Sequence, residues 1–233
     1  MMFWQEENNS EQPAGSDEVV DLLFSISCRE IPVDHAHALS GALIKAAPEL
    51  FRKHQIGVHT IHVAGSQNGW ERPDFNPGER LILSQRTKLT LRVPSSSADE
   101  VQQRLHGATL DINGCELVIG KAKRKPLGRH ATVFSRYVQC RENEDETAFL
   151  QRMAAELEKL GITIKKALCG KTTRLQTPQG EIATRSLMLA DLSAEDSMKL
   201  QQQGLGDGRQ MGCGIFIPHK GIDAVKKPAE ENS

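Results

Sequence analysis

Five glycines fall within residues 204–214, near the end of the chain. Glycine tolerates positive φ and lets the backbone approach a ligand closely, so such a segment is a candidate phosphate-binding loop. A P-loop requires G-x-x-x-x-G-K-[ST] between a strand and a helix. This segment lacks the lysine and the hydroxyl, and it follows a helix-like run and precedes the apolar run 215–217. A dinucleotide fingerprint, G-x-G-x-x-G opening a helix, differs in spacing and order. A glycine-rich turn before an edge strand is the plain structural alternative. The glycines are Gly204, Gly206, Gly208, Gly212 and Gly214.

Charges of one sign are grouped along the chain, although the net charge is only −1. Residues 1–21 contain acids and no Lys or Arg, whereas residues 121–141 contain Lys and Arg and no acid. A local excess of basic residues is the electrostatic footprint of a polyanion partner. The sequence therefore favours nucleic acid as a partner.

The glycine segment fits a longer pattern: Gly-h-Gly, five residues including a basic one, and Gly-h-Gly again, where h is apolar. The match is complete, with Arg209 as the basic residue. This pattern resembles the glycine-rich loop near the C-terminus of the RAMP superfamily, the RNA-binding ferredoxin-like proteins of CRISPR systems. Further segments resemble the MYXAN-type branch of the CRISPR repeat-processing (pre-crRNA) endoribonucleases, over about residues 19–222. They include Pro32-Val33-Asp34-His35, Leu89-Thr90-Leu91-Arg92, Lys125-Pro126-Leu127, Arg185-Ser186-Leu187 and Phe216-Ile217-Pro218-His219-Lys220.

The resemblance implies a particular reaction. Members of the wider family cut CRISPR repeat RNA without a metal and without a cofactor. The 2′-hydroxyl beside the scissile phosphate attacks it, leaving a 2′,3′-cyclic phosphate and a 5′-hydroxyl. This chemistry needs a base, an acid and positive charge near the phosphate. A histidine of the first helix often serves in the proton transfer in this family.

Three histidines are candidates for that proton transfer, and His35 is favoured. It follows Asp34, a good N-cap residue, and the helix dipole at a first turn disfavours the imidazolium form. The alternative is that His35 extends the stripe of Leu39 as a buried cap residue. His37 falls on a different helix face, and His59 lies on a predicted strand. A chain with no catalytic histidine also remains possible.

Basic side chains elsewhere are expected to contact the RNA backbone. Arg86, Lys88 and Arg92 have the same parity on a predicted strand with no acid between them, although a solvated face is the alternative. The basic connector 121–129 is expected beside the cleft between two domains, where it would contact phosphates. Its basic residues are Lys121, Lys123, Arg124, Lys125 and Arg129.

Three residues around the glycine segment, Arg209, His219 and Lys220, are expected to border the same cleft. Relatives pair the catalytic histidine with a tyrosine and a lysine, but the only tyrosine here is Tyr137, in the second half. Aromatic residues make up 4% of the chain. We therefore expect the protein to recognise its RNA mainly through the sugar-phosphate backbone and the shape of the RNA, such as that of a repeat hairpin.

The hydrophobic pattern predicts the same order of elements twice. The first half reads as strand 19–28, helix 35–53, strands 56–63 and 80–94, helix 97–106 and hairpin 109–119. The second half reads as strand 131–139, helix 144–160, strands 162–168 and 181–192, a helix after Ser193 and the strand 215–217. Each half follows the β-α-β-β-α-β order of ferredoxin-like folds.

We therefore predict an α+β protein made of tandem ferredoxin-like (RRM-like) domains. Residues 1–18 form a disordered acidic tail and residues 19–123 the N-terminal domain. Residues 124–222 form the C-terminal domain, and residues 223–233 a polar tail.

Other sequence features limit the classes to which the protein can belong. The five cysteines have no C-x-x-C spacing and follow no signal peptide, which predicts reduced thiols in a cytoplasmic protein. No His/Cys spacing predicts a metal site, and no apolar run is long enough for a membrane span.

The leading interpretation is a metal-independent endoribonuclease that matures crRNA and stays on the 3′ repeat hairpin, within a crRNA effector complex. The alternative is a subunit of such a complex that binds the hairpin without cutting. A RAMP protein that caps the 5′ end or builds the filament fits the C-terminal flanks less well.

Overall fold

A computed structural model describes residues 18–62 and 78–219. Most of the predicted acidic tail, the whole polar tail and Lys220 lie outside these ranges, as does the end of the predicted strand 56–63.

The first half forms a five-stranded antiparallel sheet in the order β3-β5-β1-β7-β6. The strands β2 and β4 pair separately as a short ribbon. The elements are β1 (Val19–Ser27), β2 (Glu30–Pro32), α1 (Ala36–Ala46), α2 (Pro48–Lys53), β3 (Gly57–Val58), β4 (Arg80–Ile82), β5 (Lys88–Pro94), α3 (Ala98–Leu105), β6 (Thr109–Ile112) and β7 (Cys115–Pro126).

One face of this sheet is buried because apolar residues alternate along its strands. On β1, Leu22 and Phe24 are buried and lie in one hydrophobic cluster with Leu39 and Leu43 of α1. The leucines are four residues apart and so share one helix face. The opposite sheet face holds the polar residues of β1, β5 and β7.

The second half forms a four-stranded antiparallel sheet in the order β11-β8-β10-β9. Its elements are β8 (Val133–Gln139), α4 (Glu146–Lys159), β9 (Lys166–Thr177), β10 (Gly180–Ala190), α5 (Ala194–Gln203) and β11 (Ile217–Pro218). Side-chain caps begin both helices: Asp145 accepts from Ala148 N at 2.8 Å, and Ser193 accepts from Asp196 N at 3.0 Å.

The predicted tandem ferredoxin-like architecture is confirmed, since both halves have the β-α-β-β-α-β order and antiparallel sheets with the first strand in the interior. Two local predictions need correction. The basic stretch after residue 120 is not a connector, because β7 continues to Pro126, past the predicted boundary at residues 123 and 124. Arg86 lies in a turn before β5 and not on the strand.

The start of α1 also differs from the prediction. His35, and not Asp34, occupies the N-cap position, and it makes no side-chain cap bond. The Asp34 carboxylate instead accepts a hydrogen bond from Gln176 N of β9 at 2.7 Å. The carboxylate predicted to start the helix therefore connects the two domains.

The two domains also share buried contacts. Ala36 of α1 lies in a hydrophobic cluster with Tyr137, Leu175 and Cys213 of the second domain. Tyr137, the only tyrosine in the sequence, is thus a core residue of the interface, 4% exposed.

Candidate RNA interface and cleft

The glycine-rich loop packs into the protein along most of its length. Its five glycines all have φ between +65° and +83°, a backbone region that glycine adopts readily because it has no Cβ. A Cβ at Gly214 would overlap the backbone oxygen of Leu205, and one at Gly212 would lie 2.9 Å from the Thr60 side chain of the first domain. Around Gly206, in contrast, no atom lies within 4 Å of a Cβ. Tight packing therefore explains Gly212 and Gly214, and Gly206 alone faces open space.

The guanidinium of Arg209 is occupied within the protein. It donates to Gln203 O at 2.9 Å and to Gln202 O at 2.8 Å, and so covers the carbonyl end of α5. Burial, with the nearby charge of Arg92, lowers the pKa of Arg209 to about 10, so the side chain stays protonated at neutral pH. The RNA contact predicted for Arg209 stays a prediction, and these bonds argue for a structural role.

The ring of His35 is fully engaged by backbone groups. It is 3% exposed, its Nδ1 lies 2.9 Å from Pro32 O, and its Nε2 accepts from Ile61 N at 2.9 Å. Because a carbonyl only accepts and an amide only donates, the ring is the neutral tautomer with its proton on Nδ1. The proton-transfer role of His35 stays a prediction. This geometry argues against it, since neither nitrogen is open to an RNA.

The second candidate, His37, lines a groove of about 350 Å³ between α1 and the glycine-rich loop. The groove is formed by His37, Ser40, Gly41, Ile44, Gly208, Arg209, Gln210 and Met211. No hydrogen bond or ion pair joins the His37 ring to another residue within the described ranges.

The third candidate, His59, lies in a buried charged cluster with Asp21 and Arg92. Its Nε2 is 3.6 Å from Asp21 Oδ1. Burial lowers the pKa of His59, although the Asp21 carboxylate opposes the shift. Burial also pushes the pKa of Asp21 upward, but Arg92 and His59 outweigh it and hold that pKa well below its usual range.

The surroundings of Arg92 argue against the predicted contact with RNA, which stays a prediction. Its side chain is fully buried and binds Asp21 through two bonds of 2.8 and 2.9 Å. Its Nη1 donates across the domain interface to Gln201 O at 2.9 Å and Phe216 O at 2.6 Å. Arg92 therefore joins the two domains and offers no donor to a ligand. Among residues 18–62 and 78–219, Arg92 makes the largest number of hydrogen bonds of any arginine at the interface.

Three lysines share the polar face of the first sheet, which we call the lysine face: Lys88, Lys123 and Lys125. The strand register places Lys88 beside Ser25, and Lys123 and Lys125 beside Leu23 and Asp21. All three side chains are exposed. Asp21 is the acid among these paired positions, and Arg92 already neutralises it. The sheet thus brings together lysines that the sequence places far apart.

The remaining predicted contacts are scattered. Arg124 points to the helix side of β7 and pairs with Asp99 of α3 at 2.6 Å. Three further basic side chains are exposed. Arg86 lies in the turn before β5, and Arg129 follows β7. Lys121 lies on β7, next to the register shift in its pairing with β1. His219 packs 6.0 Å from the Phe134 ring, measured between ring centroids, and its backbone N donates to Thr132 O.

The sequence analysis missed the residues that complete the interface. Asp21, Gln201 and Phe216 bond the same guanidinium although they are far apart in sequence. Two of the three partners, Gln201 and Phe216, accept through backbone carbonyl oxygens, which leave no signal in residue type. Gln201 additionally donates from Nε2 to Gly128 O at 2.7 Å, which holds the segment after β7.

Two further findings concern sites of other kinds. Within residues 18–62 and 78–219, no three His, Cys, Asp or Glu side chains are grouped so that they would hold a metal ion. In the same ranges, no helix is long and apolar enough to cross a membrane.

Two ferredoxin-like domains, a polar sheet face lined with lysines and a glycine-rich loop packed between the domains define the class of protein, a tandem ferredoxin-like protein. Comparison with known proteins agrees. Residues 20–221 match the family described as Cas6 Crispr. The CRISPR-associated endonuclease Cas6 of Myxococcus xanthus (strain DK1622) is 32% identical over 201 residues, covering 85% of this chain and 81% of the relative. The chain belongs to the Cas6 family of CRISPR proteins.

Solved structures with low sequence identity show the same fold. A Cas6-related protein from Pyrococcus furiosus superposes with a TM-score of 0.59 at 15% identity, covering 85% of this chain and 97% of the other. The CRISPR endoribonuclease Cse3, solved with a 19-nucleotide RNA, gives a TM-score of 0.50 at 11% identity, with 87% and 98% covered.

Proposed function

We propose that the protein is an endoribonuclease that cleaves CRISPR repeat RNA to produce mature crRNA. Family membership and the name of the Myxococcus xanthus relative support this proposal. The observation that carries it is the lysine face, where Lys88, Lys123 and Lys125 are exposed on one side of the first sheet. A positively charged sheet face suits an RNA backbone, because lysine contacts to phosphates release counterions and supply most of the affinity.

The reaction we propose is a metal-independent transesterification. The 2′-oxygen beside the scissile phosphate forms a bond to phosphorus, and the bond from phosphorus to the 5′-oxygen breaks. The products are an RNA ending in a 2′,3′-cyclic phosphate and an RNA beginning with a 5′-hydroxyl. The protein's part is to hold the RNA in line for attack and to assist the proton transfers.

Recognition of RNA shape, such as that of a repeat hairpin, is the mode that the described residues favour. Every Phe and Tyr within those residues is at most 8% exposed, as the values for Phe51 and Phe134 show. Base stacking on aromatic rings, which sequence-specific readers of single strands use, is therefore not offered by this part of the chain. Lysines on a sheet face contact phosphates of a folded RNA without that requirement.

We further propose that the protein stays on the 3′ repeat hairpin after cleavage and joins a crRNA effector complex. Contacts to the hairpin backbone are unchanged by cleavage outside it, so the product should bind as tightly as the substrate. A burst of one cleavage per protein molecule, followed by slow turnover, is the expected kinetic result. Co-purification of a tagged protein with other CRISPR proteins, lost after ribonuclease treatment, is the corresponding result for the complex.

A second function has one observation in its favour. The engaged ring of His35 suits a subunit that binds the hairpin and does not cut it. The two functions differ in a single assay, which is cleavage of the RNA by the purified protein.

The test is to incubate the full-length protein with end-labelled RNA of the host's CRISPR repeat in EDTA, and to identify the 3′ ends formed. A single cut that ends in a cyclic phosphate, and that a 2′-deoxy substitution at the scissile nucleotide abolishes, is the expected result. Tight binding without a cut would replace the nuclease with the hairpin-binding subunit. Cleavage that requires an added divalent ion would contradict the metal-independent reaction.

The lysine face is tested by the salt dependence of RNA binding. Replacing Lys88, Lys123 and Lys125 by Ala should lower the slope of log K against log salt by about 2–3, since each phosphate contact contributes about 0.7–0.9. Arg124→Ala is the matched control, because Arg124 is a neighbouring basic residue on the opposite face of β7. An unchanged slope in the triple variant, or an equal loss in Arg124→Ala, would contradict the assignment of this face.

A further inference from the structure

The lysine face carries positive charge that the acids of the described structure leave without a counterion. Lys88, Lys123 and Lys125 are exposed, and within the described part of the chain no ion pair joins them to a carboxylate. Asp21 lies beside Lys125 in the strand register, but Arg92 binds its carboxylate. Such a face attracts polyanions whatever their sequence, so it suits any RNA and also any acidic polypeptide segment within reach.

One acidic segment of this kind belongs to the chain itself. Residues 1–17 contain four acids and no Lys or Arg, so their side chains carry a formal charge of −4. The other two stretches outside the described ranges lack such an excess. Residues 63–77 contain two acids and one arginine, and residues 220–233 contain three acids and three lysines. The complement of the lysine face in charge is therefore the stretch 1–17, which we call the acidic segment. Its acids are Glu6, Glu7, Glu11 and Asp17.

The acidic segment joins the described structure beside the lysine face. Glu18 O accepts from Ser95 N at 2.8 Å, and β1 begins at the next residue. The three lysines lie beside positions 21, 23 and 25 of β1, about 10–23 Å from Glu18 along the strand at about 3.3 Å per residue. Seventeen residues span up to about 56 Å when extended, so the segment is long enough to reach all three lysines. Pro13 and Gly15 are residue types common in turns, which a chain that folds back along β1 requires.

Attachment to the same molecule favours this segment over other acidic ligands. A short tether holds a ligand at an effective concentration in the millimolar range, so even a few weak exposed ion pairs suffice for binding. A second copy of the chain is a poorer occupant, because a lysine face placed on an identical lysine face meets charge of the same sign.

We propose that the acidic segment binds the lysine face of its own molecule and competes with RNA for it. This inference rests on the RNA-binding role proposed for the lysine face. An RNA that contacts the lysines must displace the segment, so its affinity falls by the factor with which the segment occupies the face. A tight complex with repeat RNA stays saturated after that loss, whereas weak complexes with unrelated RNA dissociate at the same RNA concentration.

The first test detects the contact without RNA. A carbodiimide joins carboxylates to lysine amines in ion-pair contact, and mass spectrometry of the digested monomer identifies the joined residues. In the full-length protein we expect links from the acidic segment to the lysine face, and their loss in about 1 M salt, which screens exposed ion pairs. Links only between two molecules, links only to other exposed lysines such as Lys165 and Lys171, or no links at all would overturn the inference.

The second test measures the competition with RNA. A labelled oligouridine, which forms no hairpin, is titrated with the wild type and with a full-length variant whose acidic segment is neutralised. At about 50 mM salt the neutralised variant should bind about 3- to 100-fold more tightly, the range that three exposed ion pairs give. The two affinities should converge as the salt concentration rises, because screening releases the segment from the lysines. The substitutions are Glu6→Gln, Glu7→Gln, Glu11→Gln and Asp17→Asn.

Two controls separate binding to the lysine face from general repulsion of RNA. Replacing four exposed acids of the second domain by Gln makes the same change in net charge and should alter the affinity less than about threefold. These acids are Glu142, Glu146, Glu158 and Glu195. In a protein with Lys88, Lys123 and Lys125 replaced by Ala, neutralising the acidic segment should also have less than about a threefold effect. A gain as large as that in the wild-type background, in either control, would overturn the competition.

The two tests also distinguish this inference from the proposed function. If the links form and the neutralised variant binds oligouridine more tightly, but repeat RNA is not cut, the endoribonuclease fails and the inference stands. If repeat RNA is cut but neither the links nor the gain in affinity is found, the inference fails alone. If replacing the three lysines leaves RNA binding unchanged, the assignment of the lysine face fails and the competition fails with it.

Discussion

Replacing Arg92 by methionine tests whether this residue holds the two domains together, as the structure indicates, or contacts RNA, as the sequence suggests. Methionine retains most of the length and removes all donors. The substitution leaves the Asp21 carboxylate, 13% exposed, without its paired donors. It also leaves Gln201 O and Phe216 O without the donor that reaches them across the interface.

The expected loss is large because the charge that remains is buried. Removing one partner of a buried ion pair costs about 3–5 kcal/mol, and folded domains are stable by only about 5–15 kcal/mol. His59, 3.6 Å from Asp21 Oδ1, remains beside the carboxylate, but burial lowers the pKa of His59, so this ring replaces little of the lost positive charge. We therefore expect about 4 kcal/mol. At this chain length each kcal/mol shifts the melting temperature by about 2–4 °C, so the shift should be about 8–16 °C.

The assay is urea and thermal unfolding of the wild type, Arg92→Met and Arg92→Lys, followed by circular dichroism. Arg92→Lys keeps the charge, but it loses the planar fork that binds the carboxylate through two bonds, so an intermediate loss is expected. Arg86→Met, in an exposed turn, should stay within about 0.5 kcal/mol of the wild type. If the free energy of unfolding of Arg92→Met falls by less than about 1 kcal/mol, Arg92 does not hold the two domains together, since exposed ion pairs contribute no more than that.

The same variants have a pH signature and an RNA signature. The pKa of Asp21 is held well below its usual range, so its contribution is present above the unfolded carboxyl pKa of about 4 and is lost as the pH falls below it. This acid dependence should be weaker in Arg92→Met. The salt slope of RNA binding should be unchanged in folded Arg92→Met, whereas an Arg92 in contact with a phosphate would require the slope to fall by about 0.7–0.9.

Two further predictions concern stability. Gly214→Ala should destabilise the protein by about 3 kcal/mol or more, because its Cβ overlaps the backbone oxygen of Leu205. Gly206→Ala should cost only about 1–2 kcal/mol, since its positive φ is the sole strain, and equal losses on urea unfolding would contradict this distinction. Hydrogen bonds from Arg152 lower the pKa of Glu144 to about 2, so this pair stabilises the fold above about pH 4 and the contribution is lost as the pH falls toward 2. Arg152→Gln should therefore lose about 1.5–3 kcal/mol at pH 7 and show less acid dependence over that range, as melting temperatures against pH would reveal.

Most of the fold could be predicted because local patterns encode it. The caps Asp145 and Ser193, the Asn113-Gly114 turn between β6 and β7, and the alternation along β1 act over a few residues, and the structure contains all of them. The end of β7 could not be predicted in the same way. Its basic residues resemble a solvated connector, but pairing with β1 across a distant part of the sequence keeps them in the sheet.

The candidate site was predictable only in part, because residue type does not report burial. Arg92 and Lys88 have the same parity on one strand, yet Arg92 is buried and bonds α5 and Phe216, whereas Lys88 is exposed. Likewise, His35 and His37 are two residues apart at the N-terminus of α1. Only the structure reveals that backbone groups occupy one ring and that the other lines a groove.

The residues that carry the sequence resemblance are largely those that assemble the interface between the domains. Asp34 bonds β9, Arg92 bonds α5 and, with a second bond, Phe216, the residue before β11, and Gly212 packs on Thr60. A groove between α1 and the glycine-rich loop exists only while these contacts hold the two domains in one arrangement. Strong sequence signals therefore mark the scaffold of the cleft. The residues that we expect to touch RNA, the three lysines of the lysine face, lie beside those signals and depend on them for their positions.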